Sequence, residues 1–494
     1  MELKETACTI RVPKTVCKES EERAVDMDLV LPDYCPDVTA VLKCTMQPLI
    51  TSGSQSGDRY NVDGVVKIRI LYVSEDRTNI HCYETSQPFH AGFRCTPAQH
   101  YHVDIKQDYV HCRANSPKRI GVHGAFRVLL HAVGEGAVSV YQDPCCRGIY
   151  CQEETVHTTV PVSETAKTFL LDETIHLGIN AERVLYVDFI PTACERKILT
   201  NKVILKGCVS CKIVAVQNKE LHTILQEIPF SQILDINGLN EEFLCEAKVA
   251  MSEYEYRLEH TENGSAVLLI NAKLNACVRC SCRESADVVI DAYSVEHPLI
   301  CETTPLKFEE CQSGETVRKT FQEYTSLPEG VVTAEDQWAE LKTFEIQQEE
   351  DRKYMACCIL LCLIGRDRDG HIGYYERTID YKIPCEDDHT HADMKLIGVS
   401  CTVQNDRMRV SVDAECKIDT ISSKTIPVVT HTLLDTKQSF TRNGASIRIV
   451  YAEKGERLWD IAKMHHACVQ DIRTENDLSD DCIQTPSMLM IPIM

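Results

Sequence analysis

The chain repeats itself. Laid against itself, the sequence shows an internal period of roughly 145 residues, and a period that long makes each copy a domain-sized unit and not a solenoid repeat. Val12-Pro13, Val160-Pro161 and Thr304-Pro305 open three similar segments, at separations of 148 and 144 residues. Further into each unit a strong strand signal is followed by a turn and a return strand. The strand signals are Tyr60 to Tyr72, Val203 to Val216 and Lys353 to Ile364; the return strands reach Pro88-Phe89, Pro229-Phe230 and Tyr381. Gly64 and Gly207 hold equivalent places, and Cys357 stands there in the third unit. Val, Ile and Tyr alternate with polar residues at period two, the pattern of half-buried antiparallel strands. Asp369-Gly370 signals a hairpin turn. A second alternating run closes each unit: Ile120 to Ala132, Ser265 to Val278 and Met408 to Ile418. Trp338, Leu341 and Phe344 have helical spacing, but the matching places in the other units read as extended. The expectation is three tandem all-β units, sandwiches or open barrels, over 1–155, 156–300 and 301–434.

The end of the chain changes character. After a polar connector, 435–445 with Asn443-Gly444, residues 446–494 read as strand, helix, helix, strand. Ile447 to Tyr451 alternates as a strand. Gly455 breaks it, and Leu458, Ile461 and Ala462 mark one face of a short helix with Trp459 beside it as the expected core anchor. Val469 and Ile472 start a second helix, which Asn476 ends in a left-handed conformation. Leu489 to Pro492 closes the domain as a strand.

Composition restricts what such a chain can do. Lys plus Arg number 52 against 74 Asp plus Glu, a net charge of −22 that repels phosphate backbones, so nucleic acid is not an expected partner. The 27 cysteines are odd in number and without fixed spacing, and the first ten residues lack the basic flank and apolar stretch of an export signal. The longest apolar run, Ala356 to Ile364, is about half of what a membrane span requires. The expectation is a cytoplasmic protein whose thiols are reduced and act as small buried hydrophobes.

Candidate chemistry is thin. Cys208-Val-Ser-Cys211 and Cys277-Val-Arg-Cys280 have the spacing of zinc half-sites, yet both lie in alternating runs, where i and i+3 point to opposite faces. His100-Tyr-His102 and His389-Thr-His391 read as structural or loop histidines, and Cys145-Cys146, Cys357-Cys358 and His465-His466 as pairs pointing apart. No phosphate loop, dinucleotide fingerprint, His-Glu-x-x-His or Gly-x-Ser-x-Gly motif occurs; Gly53 to Gly57 has Gln at its centre. Neither an enzyme nor a bound cofactor or metal is expected. A binding or scaffolding protein is.

The terminal segment, Gly455, Leu458-Trp-Asp-Ile-Ala462, Asn476 and Ile491-Pro492, resembles the lysin motif (LysM) domain over nearly its whole length. That resemblance implies a βααβ fold, with Trp459, Ile461, Asn476, Ile491 and Pro492 as structural anchors. It also implies a binding groove between two loops, Gly455, Glu456, Arg457 and Leu458 on one side and Ile483, Gln484, Thr485, Pro486 and Ser487 on the other. LysM domains usually bind N-acetylglucosamine chains. The family's Gly-Asp-Thr is here Gly455-Glu456-Arg457, and its Pro-Gly-Gln is Thr485-Pro486-Ser487. The three β units, by Leu31 to Val38, Gly64 to Tyr72 and Pro88-Phe89, resemble the DUF3794 (SPOCS) domains of clostridial spore proteins. Three such units before a LysM domain resemble the spore-coat morphogenetic family that partners the stage IV coat ATPase on the forespore surface, inside the mother cell. The resemblance implies a non-enzymatic assembly factor with its LysM domain docking protein. The alternative is a binder of peptidoglycan glycan strands in cortex or cell wall.

Overall fold

The structure is a computed structural model and describes residues 7–142, 148–261, 265–312, 316–349, 352–385, 391–404, 407–440 and 446–492. The first unit contains β1 (Ala7–Val30), β2 (Ala40–Ser56), β3 (Arg59–Val73), β4 (Ile80–Arg94), β5 (His100–Ser116) and β6 (Arg119–Tyr141). They form two antiparallel three-stranded sheets, β1-β6-β5 and β2-β3-β4. The alternation of β3 turns Val62, Val66, Ile68 and Ile70 inward against Ile120, Phe126, Val128 and Leu130 of β6, so the two sheets share one core and the unit is a sandwich. Each such fully buried aliphatic or aromatic side chain stabilises the fold by about 1.5–3 kcal/mol.

Unit 2 repeats this with β7 (Ile149–His176), β8 (Arg183–Leu199), β9 (Lys202–Gln217), β10 (Glu220–Asp235), β11 (Leu244–His260) and β12 (Ala266–Ser294), in sheets β11-β12-β7 and β10-β9-β8. Unit 3 has β13 (Leu299–Gln312), β14 (Thr316–Ser326), β15 (Val331–Glu349), β16 (Arg352–Asp367), β17 (Ile372–Cys385), β18 (His391–Gln404) and β19 (Arg407–Leu434). Here the opening strand comes in two pieces, β13 and β14, both paired with β19. Strand β7 begins at Ile149 and β13 at Leu299, upstream of positions 156 and 301, because each opening strand is zipped over its full length to the closing strand of its unit. Trp338, Leu341 and Phe344 lie on strand β15.

The three units meet at one apolar cluster. Leu71, Val214 and Ile364 occupy equivalent register positions, opposite Lys43, Tyr186 and Asp336 respectively. They share one apolar cluster with Val73, Ile80, Val216 and Ile372. A second cluster joins the long arms: Ile10 and Val140 from unit 1, Val156 and Val288 from unit 2, Phe308, Ile426 and Val428 from unit 3.

Polar seams complete the ring. Between units 1 and 2, Arg69 meets Asp188 at 2.7 Å and donates to the Val187 carbonyl at 3.0 Å. Between units 2 and 3, Lys212 meets Asp336 at 2.6 Å. Cys362 holds the equivalent place in unit 3, and the third seam takes its cation from the opposite side: Lys43 of unit 1 donates to the Tyr374 hydroxyl at 2.7 Å and lies 3.5 Å from Glu340. A cavity of about 310 Å³ lined by Arg69, Asp188 and Glu340 sits among the three units.

Two glycines are fixed by close approach. A Cβ at Gly207 would stand 2.2 Å from the Thr192 carbonyl oxygen and 2.4 Å from Phe230; one at Gly64 would stand 2.5 Å from the Leu49 oxygen and 2.3 Å from Phe89. Both sit beside a register shift in the neighbouring strand, Ala193/Glu195 and Ile50/Ser52. In unit 3, where Cys357 holds the place, the shift lies elsewhere, at Leu341/Thr343. Because a carbonyl in a ladder cannot swing aside, Gly207→Ala is expected to lower stability by about 1–3 kcal/mol, read as an earlier urea midpoint at unchanged slope.

The chain ends in β20 (Ile447–Ala452), α1 (Leu458–His465), α2 (Val469–Glu475) and β21 (Ser487–Pro492). Ala452, Leu458, Ile461, Ala462, Ile472, Ile483, Leu489 and Ile491 form its core. Asn476 ends α2 with φ −110°, and the left-handed residue is the next one, Asp477, at φ 51°. The side chain explains the difference: Asn476 donates to the Ile472 and Met490 carbonyls at 2.8 and 2.6 Å and accepts from Met490 N–H at 2.7 Å. Its amide thus takes the place of a strand partner on the outer edge of β21.

Candidate functional site on the C-terminal module

The two loops expected to bind are laced to each other. Gly455, at φ 93°, donates its N–H to the Ile483 carbonyl at 2.8 Å; Ile483 N–H donates to Glu456 O at 2.9 Å, and Leu458 N–H to Asp481 O at 2.8 Å. The Glu456 carboxylate accepts from Glu453 N–H at 2.9 Å, and Arg457 grips Asp460 through two bonds of 2.8 and 2.9 Å. Gln484, Thr485 and Pro486 are exposed, and Ser487 opens β21. The loops therefore form a closed seam whose backbone groups are largely committed to each other.

The open surface lies on the sheet. Ile447, Ile449, Tyr451, Met488 and Met490 are between 40% and 71% exposed. Ile449 is opposite Met490 and Tyr451 opposite Met488, which makes one continuous apolar face. The other phase of the same strands, Ala452, Leu489 and Ile491, is buried. A contiguous exposed apolar face is the kind of surface at which soluble proteins meet partners, which makes this one the module's candidate site. The signal was present in the sequence, since Ile447, Ile449 and Tyr451 on one phase are apolar, as are Val450 and Ala452 on the other, and a two-stranded sheet has only one face to bury.

Opposite that face, the module is seated on unit 2. Trp459, half-buried, donates its indole N–H to Asp291 at 2.8 Å and stands edge-on to Tyr293 at 5.0 Å. Lys463 reaches the same carboxylate at 2.6 Å, and the Tyr293 hydroxyl donates to the Ala467 carbonyl at 2.7 Å. The connector is held as well: Phe440 N–H donates to Glu296 O at 3.1 Å, and its ring stacks on His466 at 3.6 Å. Asn443-Gly444, like Cys145-Cys146 and His389, lies outside the described residues.

The cysteine pairs fall on opposite faces, Cys208 and Cys277 half-buried, Cys211 and Cys280 buried. Burial pushes the Cys211 and Cys277 thiols up to about 12, which keeps them protonated. Cys280 faces Cys245 across the strand pair, sulfur to sulfur at 3.0 Å. Among the described residues, one cluster has metal-ligand geometry, Asp367, Asp369 and His371 in the β16–β17 turn. There Asp367 already accepts from the Asp369 and His371 amides at 2.9 and 2.8 Å.

His100 and His102 lie on strand β5 at the seam with unit 2. A His100 ring nitrogen lies 2.9 Å from the Cys280 carbonyl. Burial lowers both histidines, and Arg279 adds to it; His102 falls to about 3, and burial lowers its neighbour His131 too. His102 stays neutral when folded, and His100 and His131 hold a proton less readily than in the unfolded chain, so their contribution to stability is full above the unfolded value of about 6.5 and is lost as pH falls below it. Thermal midpoints should drop between about pH 6.5 and 5, before carboxylates titrate, and His102→Gln should flatten that slope.

Equivalent strands of two units agree with one family. Residues 37–115 and 180–259 match the model described as SipL, SPOCS domain. Units 1 and 2 match the SipL SPOCS domain. The matched stretches run from the start of β2 through β5 and from the start of β8 through β11, so the match covers the three-stranded meander of each unit and the strand after it and leaves out the long opening and closing strands. The match supports a SipL-like, sporulation-related coat protein. No curated protein and no solved structure matches the chain. Among the described residues, no helix is long and apolar enough to cross a membrane.

Proposed function

We propose that this chain is a non-enzymatic spore-coat assembly factor, acting at the forespore surface in the mother cell, that binds the stage IV coat ATPase and helps to localise the coat basement layer. The observation that carries the reading is the SPOCS match in units 1 and 2. The C-terminal module acts as a LysM domain turned to protein docking. Its βααβ order agrees with that family, its loop seam is closed, and its free surface is the apolar face of β20 and β21.

The dock is therefore assigned to Ile449, Tyr451 and Met488, with the loop residues Gly455 to Leu458 shaping its border. Placing charge there is expected to act at once, since a carboxylate in an apolar contact is costly to desolvate. Ile449→Asp with Met488→Asp should cut recovery of the coat ATPase in a pull-down by at least about tenfold, with the thermal midpoint little changed because both side chains face solvent. Undiminished recovery, or sedimentation of the full chain with purified peptidoglycan that N-acetylglucosamine oligomers compete away, would favour the glycan reading instead.

A further inference from the structure

The three sandwiches differ at one place that their shared register makes comparable. Counting back equally from the paired strand ends Val30, His176 and Ser326, the opening strand carries Arg23 in unit 1, Phe169 in unit 2 and Lys319 in unit 3. Across the sandwich edge, the position opposite Val66, Val209 and Ile359 carries Gln87, Ile228 and Ile379. In unit 2, Phe169 packs on Phe230 at 5.3 Å, and in unit 3 Phe321, two residues after Lys319, packs on Tyr381 at 4.6 Å. An aromatic from the opening strand thus plugs both edges. Unit 1 lacks that aromatic; Val25 stands where unit 3 has Phe321, and Phe89 turns to Phe126 at 5.0 Å.

An open cleft of about 390 Å³ results, walled by Val25, Val66, Phe89 and Phe126 with Arg23 and Gln87 on its two sides. Its size is that of a small-ligand or side-chain pocket. Arg23 Nε and Gln87 Oε1 are both buried there without a hydrogen-bond partner. Buried polar atoms are nearly always paired, so two orphans on residues that line one space from its two sides mark it as the place where a polar partner is missing. One is a donor and the other an acceptor. The rest of Arg23 is fixed: Nη2 donates to Glu21, whose other oxygen accepts from Gly92 N–H at 3.0 Å and straps β1 to β4.

We propose that this cleft binds an apolar peptide segment, one of whose peptide groups accepts from Arg23 Nε–H and donates to Gln87 Oε1 while a large side chain takes the place that Phe169 fills in unit 2. Unit 1 is then a peptide receptor, and units 2 and 3 are the same fold with the receptor plugged. The site lies apart from the C-terminal module and does not depend on the coat ATPase.

Saturation-transfer NMR on the full chain with acetyl-Val-Phe-Val-methylamide tests it. Saturable binding is expected, weakened by about tenfold or more in Arg23→Phe, which copies unit 2 and should keep or raise the thermal midpoint. The ester analogue, with oxygen in place of the central N–H, should bind the wild-type chain several-fold more weakly than the amide. Gln87→Leu should abolish that preference, and it carries the test by itself if Arg23→Phe does not fold. No saturable signal with the wild-type chain, equal binding by Arg23→Phe, or an ester preference that ignores Gln87→Leu would overturn the proposal.

Discussion

Asp336→Ala should lower the unfolding free energy by about 3–5 kcal/mol, the cost of removing one partner of a buried ion pair. Asp336 is 0% exposed and serves three donors at the seam of units 2 and 3: Lys212 at 2.6 Å, the Tyr186 hydroxyl, and the Gln337 amide at 2.9 Å. Burial, with the Asp336 charge beside it, holds the Tyr186 hydroxyl protonated, so it remains a donor. Truncation strands the Lys212 ammonium with the Gln337 carbonyl and leaves that hydroxyl orphaned. An exposed pair supplies the control: Lys206 and Glu195 are 57% and 61% exposed, and Lys206→Ala should cost less than about 1 kcal/mol. Urea unfolding measures both. The double variant Lys212→Met with Asp336→Leu should recover most of the loss, because the penalty comes from the stranded charge. A loss below about 1 kcal/mol for Asp336→Ala would mean that water reaches the seam and the units are not closed into a ring.

The same seam shows where sequence reasoning stops. The period, the strand positions and the hairpin turns were legible because they rest on local rules: alternation, β-branched residues, Asp-Gly at a turn. Arg69, Asp188, Lys212 and Asp336 sit on strands at polar phases and read as solvent-facing, like the exposed Lys206 and Glu195. What separates them is a neighbouring unit 119 or 124 residues away in the chain, which no local pattern encodes. The third seam is harder still, since Lys43 supplies from the other side the charge that Cys362 lacks. At the C-terminal module, the strand and helix order was readable from periodicity, and Asn476 was recognised as a helix end. Its side-chain bonds to Met490 were not, because they depend on β21 returning beside α2.

Trp459→Ala is expected to release the C-terminal module from unit 2 while leaving the module folded. The module's own core of Leu458, Ile461, Ile472, Leu489 and Ile491 is fully buried, and the half-buried indole packs against its margin, between that core and Tyr293. What the indole adds is the edge-on contact with Tyr293 and the bond to Asp291. Losing both should weaken docking by about 3 kcal/mol, roughly a hundredfold in the docked-to-free ratio. Proteolysis between positions 435 and 445 should accelerate accordingly, with global unfolding in urea nearly unmoved. Trp459→Phe, which keeps a ring and loses the N–H, should fall between. The chain has two tryptophans, so Trp338→Phe leaves an emission signal from position 459 alone that should shift red when Asp291→Ala weakens the seat. An unchanged cleavage rate in Trp459→Ala would show that Tyr293–Ala467 and the Phe440–His466 stack suffice to hold the module. The same variant locates the dock. If the coat ATPase grips the outward face of β20 and β21, Trp459→Ala should preserve its capture, because that face points away from the seat; loss of capture would move the dock to the indole and make the contact with unit 2 a competitor for the partner.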